Sequence, residues 1–293
     1  MKRRTYYYSV DKKEDFSSVM IRDSRPLKKD FRFLTKNPFR KAFSWFFYYV
    51  VAVPILYVYT KLRFHIRVEG ARNVRKEMKG TGYFIYANHT NIADAFNEQI
   101  YTVYPKKGYI VSQTDTITKN WLLGRIVMDL GALPLPTDLH TAKSFLDALK
   151  VILEKKDAVI IYPEATIWPY YTGQRPPRRG SFKYPRTFNK PVVFACTTYK
   201  EPFGLFKKHK APRIVIHLSE PVYPSRDQTV KMDEKRLESL YIAFIEKWSS
   251  SKDNYVTNRF ILDDSKASYP LKEDDYLEKN YDMVEEEYYS KSR

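Results

Sequence analysis

A histidine and an aspartate five positions apart follow a short apolar run in the first third of the chain. Residues 83–87 read YFIYA, a pattern typical of a buried strand, and His89 and Asp94 come directly after it. If His89 lies in the turn after the strand and Asp94 lies about one turn inside the next helix, the carboxylate can orient the imidazole and stabilise its cation. Such a pair can act as a general base toward a hydroxyl group.

A second polar group follows another apolar run. Residues 158–162 read AVIIY, and the next block, Pro163-Glu164-Ala165-Thr166, places Glu164 and Thr166 at the end of that predicted strand. Because parallel strands bring their carboxyl ends to one edge of a sheet, Glu164 can approach the same crevice as His89. The polar loop 170–183 then offers basic side chains for an anion, and the alternative is a solvated loop. These basic residues are Arg175, Arg178, Arg179 and Lys183.

Metal and disulfide chemistry have little support in this sequence. None of the five histidines pairs with another at a metal-ligand spacing backed by a carboxylate, so we expect no metal. Cys196 is the single cysteine, which excludes an intramolecular disulfide framework.

Strand and helix patterns alternate from residue 62 onward. Strand patterns cover 62–69, 191–196 and 213–218, in addition to the two runs above. Helical spacing of apolar residues begins near Asp138 and recurs from Leu237 to Trp248. The alternation predicts one α/β domain with a central, mostly parallel or mixed sheet flanked by helices.

Composition divides the chain into four regions. Residues 1–41 are predicted to be a basic N-terminal tail, 42–61 a membrane-associated segment, 62–250 the α/β domain and 251–293 an acidic C-terminal tail. The chain of 293 residues is long enough for one substantial domain with its own core.

The apolar segment has no charged residue from position 42 to 59 and is rich in Trp, Phe and Tyr. Its length is close to the roughly 17 to 25 residues of a membrane span. Pro54 is expected to break or kink a helix there, and basic residues flank both sides about equally, so no orientation follows. These features favour a monotopic segment that enters one leaflet, with a single span and a buried core helix as alternatives.

The formal net charge of +17 indicates a partner with negative charge, such as nucleic acid, an anionic membrane face or an acidic donor. The basic residues cluster around the apolar segment, and no nucleic-acid-binding motif occurs. The charge therefore favours an anionic membrane surface over nucleic acid.

Taken in order, several blocks of this sequence resemble those of the glycerolipid (lysophosphatidic acid type) acyltransferase family. They are RVEGARNV, YFIYANHTNIAD, GALPLP, IIYPEAT, GSFK and PVV, between about residues 60 and 220. The resemblance implies transfer of an acyl group from a thioester, acyl-CoA or acyl carrier protein, to a lyso-lipid hydroxyl, with no other cofactor. It implies that His89 is the catalytic base and Asp94 its partner. Glu164 and Thr166 would belong to the acceptor-binding block, with Gly180 and Lys183 nearby.

Two departures from the family pattern concern the acceptor. The usual Glu-Gly-Thr-Arg stands here as Glu164-Ala165-Thr166-Ile167, and no basic residue follows the GALPLP block. Both absent residues normally help to hold the acceptor phosphate. Either Arg175, Arg178 or Arg179 replaces them, or the acceptor lacks a phosphate monoester and is another lyso-lipid, such as a lyso-glycolipid.

The expected location is the cytoplasmic face of the cell membrane. The expected partners are the lyso-lipid acceptor, the acyl donor and the anionic membrane, but no nucleic acid. The alternative is a catalytically silent lipid-binding or scaffold protein of the same fold, which the missing motif arginine would explain.

Overall fold

The computed structural model describes residues 4–12, 16, 26–114, 117, 121–204, 210–251, 254–255 and 258–266. Its centre is a seven-stranded sheet with strand order β2-β8-β7-β3-β6-β4-β5. All neighbouring strands in it are parallel except β7 and β8, which are antiparallel. The strands are β2 (Arg67–Glu69), β3 (Tyr83–Ala87), β4 (Gly108–Ser112), β5 (Ala132–Pro134), β6 (Ala158–Ile161), β7 (Val192–Lys200) and β8 (Arg213–Leu218).

Helices cover both faces of this sheet, which confirms the predicted fold class. They are α1 (Pro38–Phe64), α2 (Ala71–Glu77), α3 (Asp94–Asn97, continued by a π-helical stretch Glu98–Val103), α4 (Trp121–Asp129), α5 (Leu139–Glu154), α6 (Lys183–Phe188) and α7 (Val230–Ser249). On β3, Phe84 packs into the core with α5 and α7, whereas Ile85 packs into the core with α2 and α3. Each central strand is therefore buried on both sides, which is why it is apolar without alternation.

The start of α5 is fixed by a reciprocal cap. Asp138 accepts a hydrogen bond from the Thr141 backbone N–H at 2.8 Å, and the Thr141 hydroxyl accepts one from the Asp138 N–H at 3.1 Å. Two backbone donors that the helix cannot satisfy internally are thus paired. The helix therefore begins directly after Asp138, as the sequence pattern predicts.

Helix α1 contains the apolar segment and runs for 27 residues. It continues through Pro54, so of the expected break or kink the break does not occur; a π-helical stretch, Phe47–Ala52, precedes the proline. Helix α1 also extends to Phe64, which shortens the predicted strand 62–69 to β2. Only 17% of its most apolar 18-residue stretch is buried, so α1 is not a core helix. Its length and composition suit a membrane anchor.

One narrow face of α1 is attached to the domain near both of its ends. The Ser44 hydroxyl donates to the Asp129 carbonyl at 3.2 Å, and Arg40 pairs with the Asp129 carboxylate at 3.3 Å. Towards the other end, the Thr60 and Tyr101 hydroxyls lie 2.9 Å apart. The helix therefore lies along the domain surface, with most of its apolar side chains facing outward.

The described parts of the two end regions pack against the domain. Strand β1 (Thr5–Tyr8) pairs in parallel with β9 (Arg259–Leu262), and Phe260 stacks on Trp168 with ring centroids 5.5 Å apart. Leu27 and Phe33 enter the core beside α5. The boundaries of the four regions stay a prediction, and most of the acidic tail, residues 267–293, lies outside the described residues.

A buried glycine just before β3 provides a test of this packing. A Cβ atom at Gly82 would lie 2.3 Å from the Leu153 carbonyl oxygen, a backbone atom that no rotamer change can move. Gly82→Ala should therefore lower the free energy of unfolding by about 1 to 3 kcal/mol, as overpacking does, measured by urea titration in detergent. The matched variant Gly80→Ala, whose Cβ would meet nothing within 4 Å, should unfold like the wild type. Equal stabilities for the two variants would contradict the described contact between β3 and the end of α5.

Candidate active site

The site lies at the carboxyl end of β3. Asn88, fully buried after the strand, donates from its amide to the Thr197 carbonyl at 3.1 Å and accepts from the Thr197 N–H at 2.7 Å. These two bonds fasten the end of β3 to β7. The next residue, His89, is thereby placed at the sheet edge where α/β proteins bind ligands, with 13% of its side chain exposed.

The structure brings His89 and Asp94 together. His89 Nδ1 lies 3.3 Å from Asp94 Oδ2, and the same oxygen accepts backbone N–H bonds from Thr90 and Asn91 at 2.8 Å each. Asp94 is the first residue of α3 rather than a full turn inside it, because the 89–93 loop folds around its carboxylate. With Nδ1–H donating to Asp94, Nε2 of the neutral ring is left as the proton acceptor.

Tyr162 and Glu98 lie behind this pair, and the sequence analysis missed both. The Tyr162 ring stacks on the His89 ring with centroids 4.3 Å apart. Its hydroxyl lies 2.6 Å from Glu98 Oε2 and 2.5 Å from the Asp94 carbonyl oxygen. Glu98 follows Asp94 by four positions, so the i,i+4 spacing is a signal that could have placed it on the same helix face.

Burial decides the charge of the two carboxyl groups. Burial raises the pKa of Asp94, and the backbone N–H bonds from Thr90 and Asn91 oppose this rise. Burial and the nearby charge of Asp94 raise the pKa of Glu98. Since two charges cannot easily share one buried pocket, we assign the ionised state to Asp94 and the proton to Glu98. A protonated Glu98 can donate a hydrogen bond to the Tyr162 hydroxyl, and that hydroxyl in turn donates to the Asp94 carbonyl oxygen.

An ion pair joins the loop after β3 to the loop after β6. Glu164 accepts from the His89 backbone N–H at 3.2 Å and pairs with Arg175. Arg175 also donates to the His89 carbonyl at 3.0 Å and to the Thr166 hydroxyl at 2.8 Å, and its guanidinium lies over the Trp168 ring. Both charged side chains are 1% exposed.

This burial corrects the expectation for Arg175. Its guanidinium bonds protein groups in the interior, so it holds the site together and does not face an acceptor in solution. Ile167, at the place of the motif arginine, is also buried. Glu164 and Thr166 bond the same guanidinium, which makes them part of the support of His89.

The other expected acceptor residues lie further along the loop. The Arg178 N–H donates to the Pro163 carbonyl at 2.7 Å, which folds the loop back toward the end of β6. Arg179 is exposed, Gly180 adopts a φ of +74° that favours glycine, and Lys183 is buried at the start of α6. Among the residues that the structure describes, no group of three or more His, Cys, Asp or Glu side chains could hold a metal ion.

Residues 65–197 match the family model described as Acyltransferase. This range of the chain is similar to the acyltransferase family. It runs from the end of α1 to β7 and contains both loops of the site. No curated protein matches the chain.

Among solved structures, the chain is similar to the 1-acyl-sn-glycerophosphate (LPA) acyltransferase PlsC from Thermotoga maritima. The two share 16% sequence identity with a TM-score of 0.49, over 73% of this chain and 90% of that one.

The buried proton on Glu98 predicts a pH-dependent stability. The pKa of Glu98 is raised in the folded protein, whereas in the unfolded chain Glu98 ionises near its ordinary value of 4.5. The contribution of Glu98 to the free energy of unfolding is therefore fully present below pH 4.5 and is lost as the pH rises through the folded-state pKa. Glu98→Gln keeps a hydrogen-bond donor to the Tyr162 hydroxyl and removes the titrating carboxyl group. We expect the fall in free energy of unfolding between pH 5 and 8 to become shallower, by up to about 1.4 kcal/mol per pH unit.

Urea unfolding of the protein at four pH values measures this slope. Glu77→Gln, an exposed glutamate on α2, serves as the control and should keep the wild-type slope. If Glu98→Gln also keeps it, Glu98 is ionised in the folded protein.

Proposed function

We propose that this protein is an acyltransferase that moves a fatty acyl group from acyl-CoA or acyl carrier protein to the hydroxyl of a lyso-lipid at a membrane surface. The observation that carries the proposal is the His89–Asp94 pair at the carboxyl end of β3, inside the matched acyltransferase range. Lysophosphatidate or a related lyso-phospholipid or lyso-glycolipid is the acceptor class.

His89 is the general base in this mechanism. Its Nε2 takes the proton of the acceptor hydroxyl as the oxygen attacks the thioester carbonyl, while Asp94 stabilises the resulting imidazolium. The tetrahedral intermediate then collapses, the C–S bond breaks, and the proton on His89 passes to the leaving thiolate. The ester and the free thiol are the products, so no further reactant is needed.

Two features support the position of the His89 ring during this reaction. The stacked Tyr162 ring limits its tilt, and the Glu164–Arg175 pair holds its backbone from both the N–H and the carbonyl side. Pre-organisation of this kind lowers the cost of reaching the reactive geometry.

Acceptor binding is assigned to the loop after β6. Arg175 is bonded in the interior and Ile167 carries no charge, so an acceptor phosphate would need Arg178 or Arg179, of which Arg179 is exposed. An arginine suits a phosphate because its N–H groups can bond two oxygens at once. The donor, whether CoA or an acidic carrier protein, would be attracted by the general excess of positive charge.

The attachment of α1 supports insertion into one leaflet. Ser44 and Thr60 are bonded to the domain 16 residues apart, which is about 24 Å of helix. A helix fixed along the domain over that length cannot also leave it to cross a bilayer alone. Its outward residues, including Phe39, Phe43 and Leu62, are more than half exposed and suit the acyl region of the cytoplasmic leaflet.

Substitution of the base tests the mechanism. His89→Ala should lower kcat for acyl transfer on the order of 10² to 10⁴-fold, because the general base is lost. Asp94→Asn should cost a large factor while keeping an acceptor for the Thr90 and Asn91 N–H groups. The assay uses purified enzyme in detergent with each donor, and His140→Ala, an exposed histidine on α5, is the matched control. Full activity of His89→Ala would overturn the mechanism.

The acceptor class needs a separate experiment. We expect Arg178→Ala and Arg179→Ala together to raise KM for a phosphate-bearing lyso-lipid about tenfold or more with little change in kcat, since each lost ionic hydrogen bond costs about 1.5 to 3 kcal/mol. KM for a phosphate-free lyso-lipid should not change, and Arg72→Ala on α2 is the control. Transfer only to phosphate-free acceptors would mean a changed substrate, and transfer to none with either donor would favour the silent lipid-binding alternative.

A further inference from the structure

A groove of about 790 Å³ lies between α1, the start of β2, α2 and the π-helical end of α3. Its volume is in the range of small-molecule binding sites, about 300 to 1,000 Å³. None of its lining residues belongs to the His89 site. The groove is therefore separate from the residues to which we assign the reaction.

The polar part of this groove is basic. Among the residues that the structure describes, Lys61, His65, Arg67 and Arg75 line it, and no carboxylate does. Lys61 donates to the Ile66 carbonyl at 2.9 Å and Arg75 to the Tyr101 carbonyl at 2.5 Å. Each of these bonds uses one N–H group of its side chain, so the cations are held in place with further donors to offer.

Arg67 lies beside an acidic residue. Its guanidinium lies 3.6 Å from Glu69, and Glu69 also bonds His217. The Arg67 side chain is 76% exposed, so this contact leaves most of it open to a ligand. The lining keeps a positive charge from Lys61, Arg67 and Arg75, which complements an anion.

The other part of the groove is apolar and continues onto the anchor helix. Val53, Pro54 and Tyr57 of α1 face Ile100 and Tyr104 of the α3 region. At 100° per residue, Val58 lies 40° from Pro54 around the helix and is 54% exposed, and Leu62 lies 40° beyond Val58 and is 72% exposed. A molecule in the groove can thus extend an apolar chain along the outward face of α1.

We propose that this groove binds one anionic glycerophospholipid as a non-substrate lipid. The headgroup phosphate pairs with Lys61, Arg67 and Arg75, and an acyl chain lies against Val53, Pro54 and Ile100. A free phosphate would satisfy the basic part alone, whereas a phospholipid meets both parts. Since α1 forms one wall and the domain the other, the bound lipid fixes the anchor helix against the domain. The inference needs α1 to meet lipid and does not need acyl transfer.

Calorimetric titration of the full chain in a zwitterionic detergent tests this site. The probes are dihexanoyl phosphatidylglycerol, dihexanoyl phosphatidylcholine and inorganic phosphate. We expect saturable binding of phosphatidylglycerol at one site per chain, weakened by added salt, with the other two probes bound at least tenfold more weakly. Equal binding of phosphatidylcholine would overturn the role of the cations, and equal binding of phosphate would overturn the lipid assignment.

Matched variants locate the binding. Arg67→Gln with Arg75→Gln should weaken phosphatidylglycerol at least tenfold, and Arg67→Lys with Arg75→Lys should restore most of the affinity. Arg72→Gln with Lys76→Gln removes the same charge from exposed positions of α2 outside the groove and should bind like the wild type. Lys61→Gln changes a single exposed side chain and should lower the affinity for phosphatidylglycerol several-fold. This variant tests the site even if the double variant does not fold.

Acyl transfer in the same zwitterionic detergent separates this proposal from the proposed function. The Arg67→Gln, Arg75→Gln variant should keep wild-type turnover there, since neither residue is assigned to the reaction. If that variant binds phosphatidylglycerol like the wild type, the groove is not the binding site. If the wild type shows no acyl transfer, only the proposed function is overturned.

Discussion

The buried ion pair of Glu164 and Arg175 holds the site together. Both of its members lie in the loop after β6, and both bond the backbone of His89 in the loop after the neighbouring strand β3. Removing one partner of such a pair leaves an uncompensated charge in the interior, which costs about 3 to 5 kcal/mol. The pair therefore fixes the loop after β3 relative to the loop after β6, and the position of the His89 ring depends on this contact.

Behind the ring, two carboxyl groups share a pocket with no exposure to solvent. Backbone N–H groups favour the charge on Asp94, and the Tyr162 hydroxyl links Glu98 to the start of α3. One carboxyl can then remain ionised beside the imidazole because the other keeps its proton. The same contacts thus orient the His89 ring and lower the cost of burying two carboxyl groups side by side.

Helix α1 carries the apolar surface that we propose meets the membrane. Helix α1 is bonded to the domain by Ser44 and Thr60, while its outward face stays apolar and exposed. Where the helix stands off from the domain, a groove remains with an apolar wall and a basic end. Both the attachment and the groove arise because only one face of the long helix α1 contacts the domain.

The sequence by itself determined the α/β class, the strands at 83–87 and 213–218, the start of α5, and the His89–Asp94 spacing. These features are local, because burial on both faces and helix capping leave a pattern within a few residues. Only the tertiary structure decided that Arg175 is an interior partner of Glu164, that Tyr162 stacks on His89, and that β1 pairs with β9 across 254 residues. Such contacts depend on which loops the sheet order brings together, and no local pattern along the chain records that order.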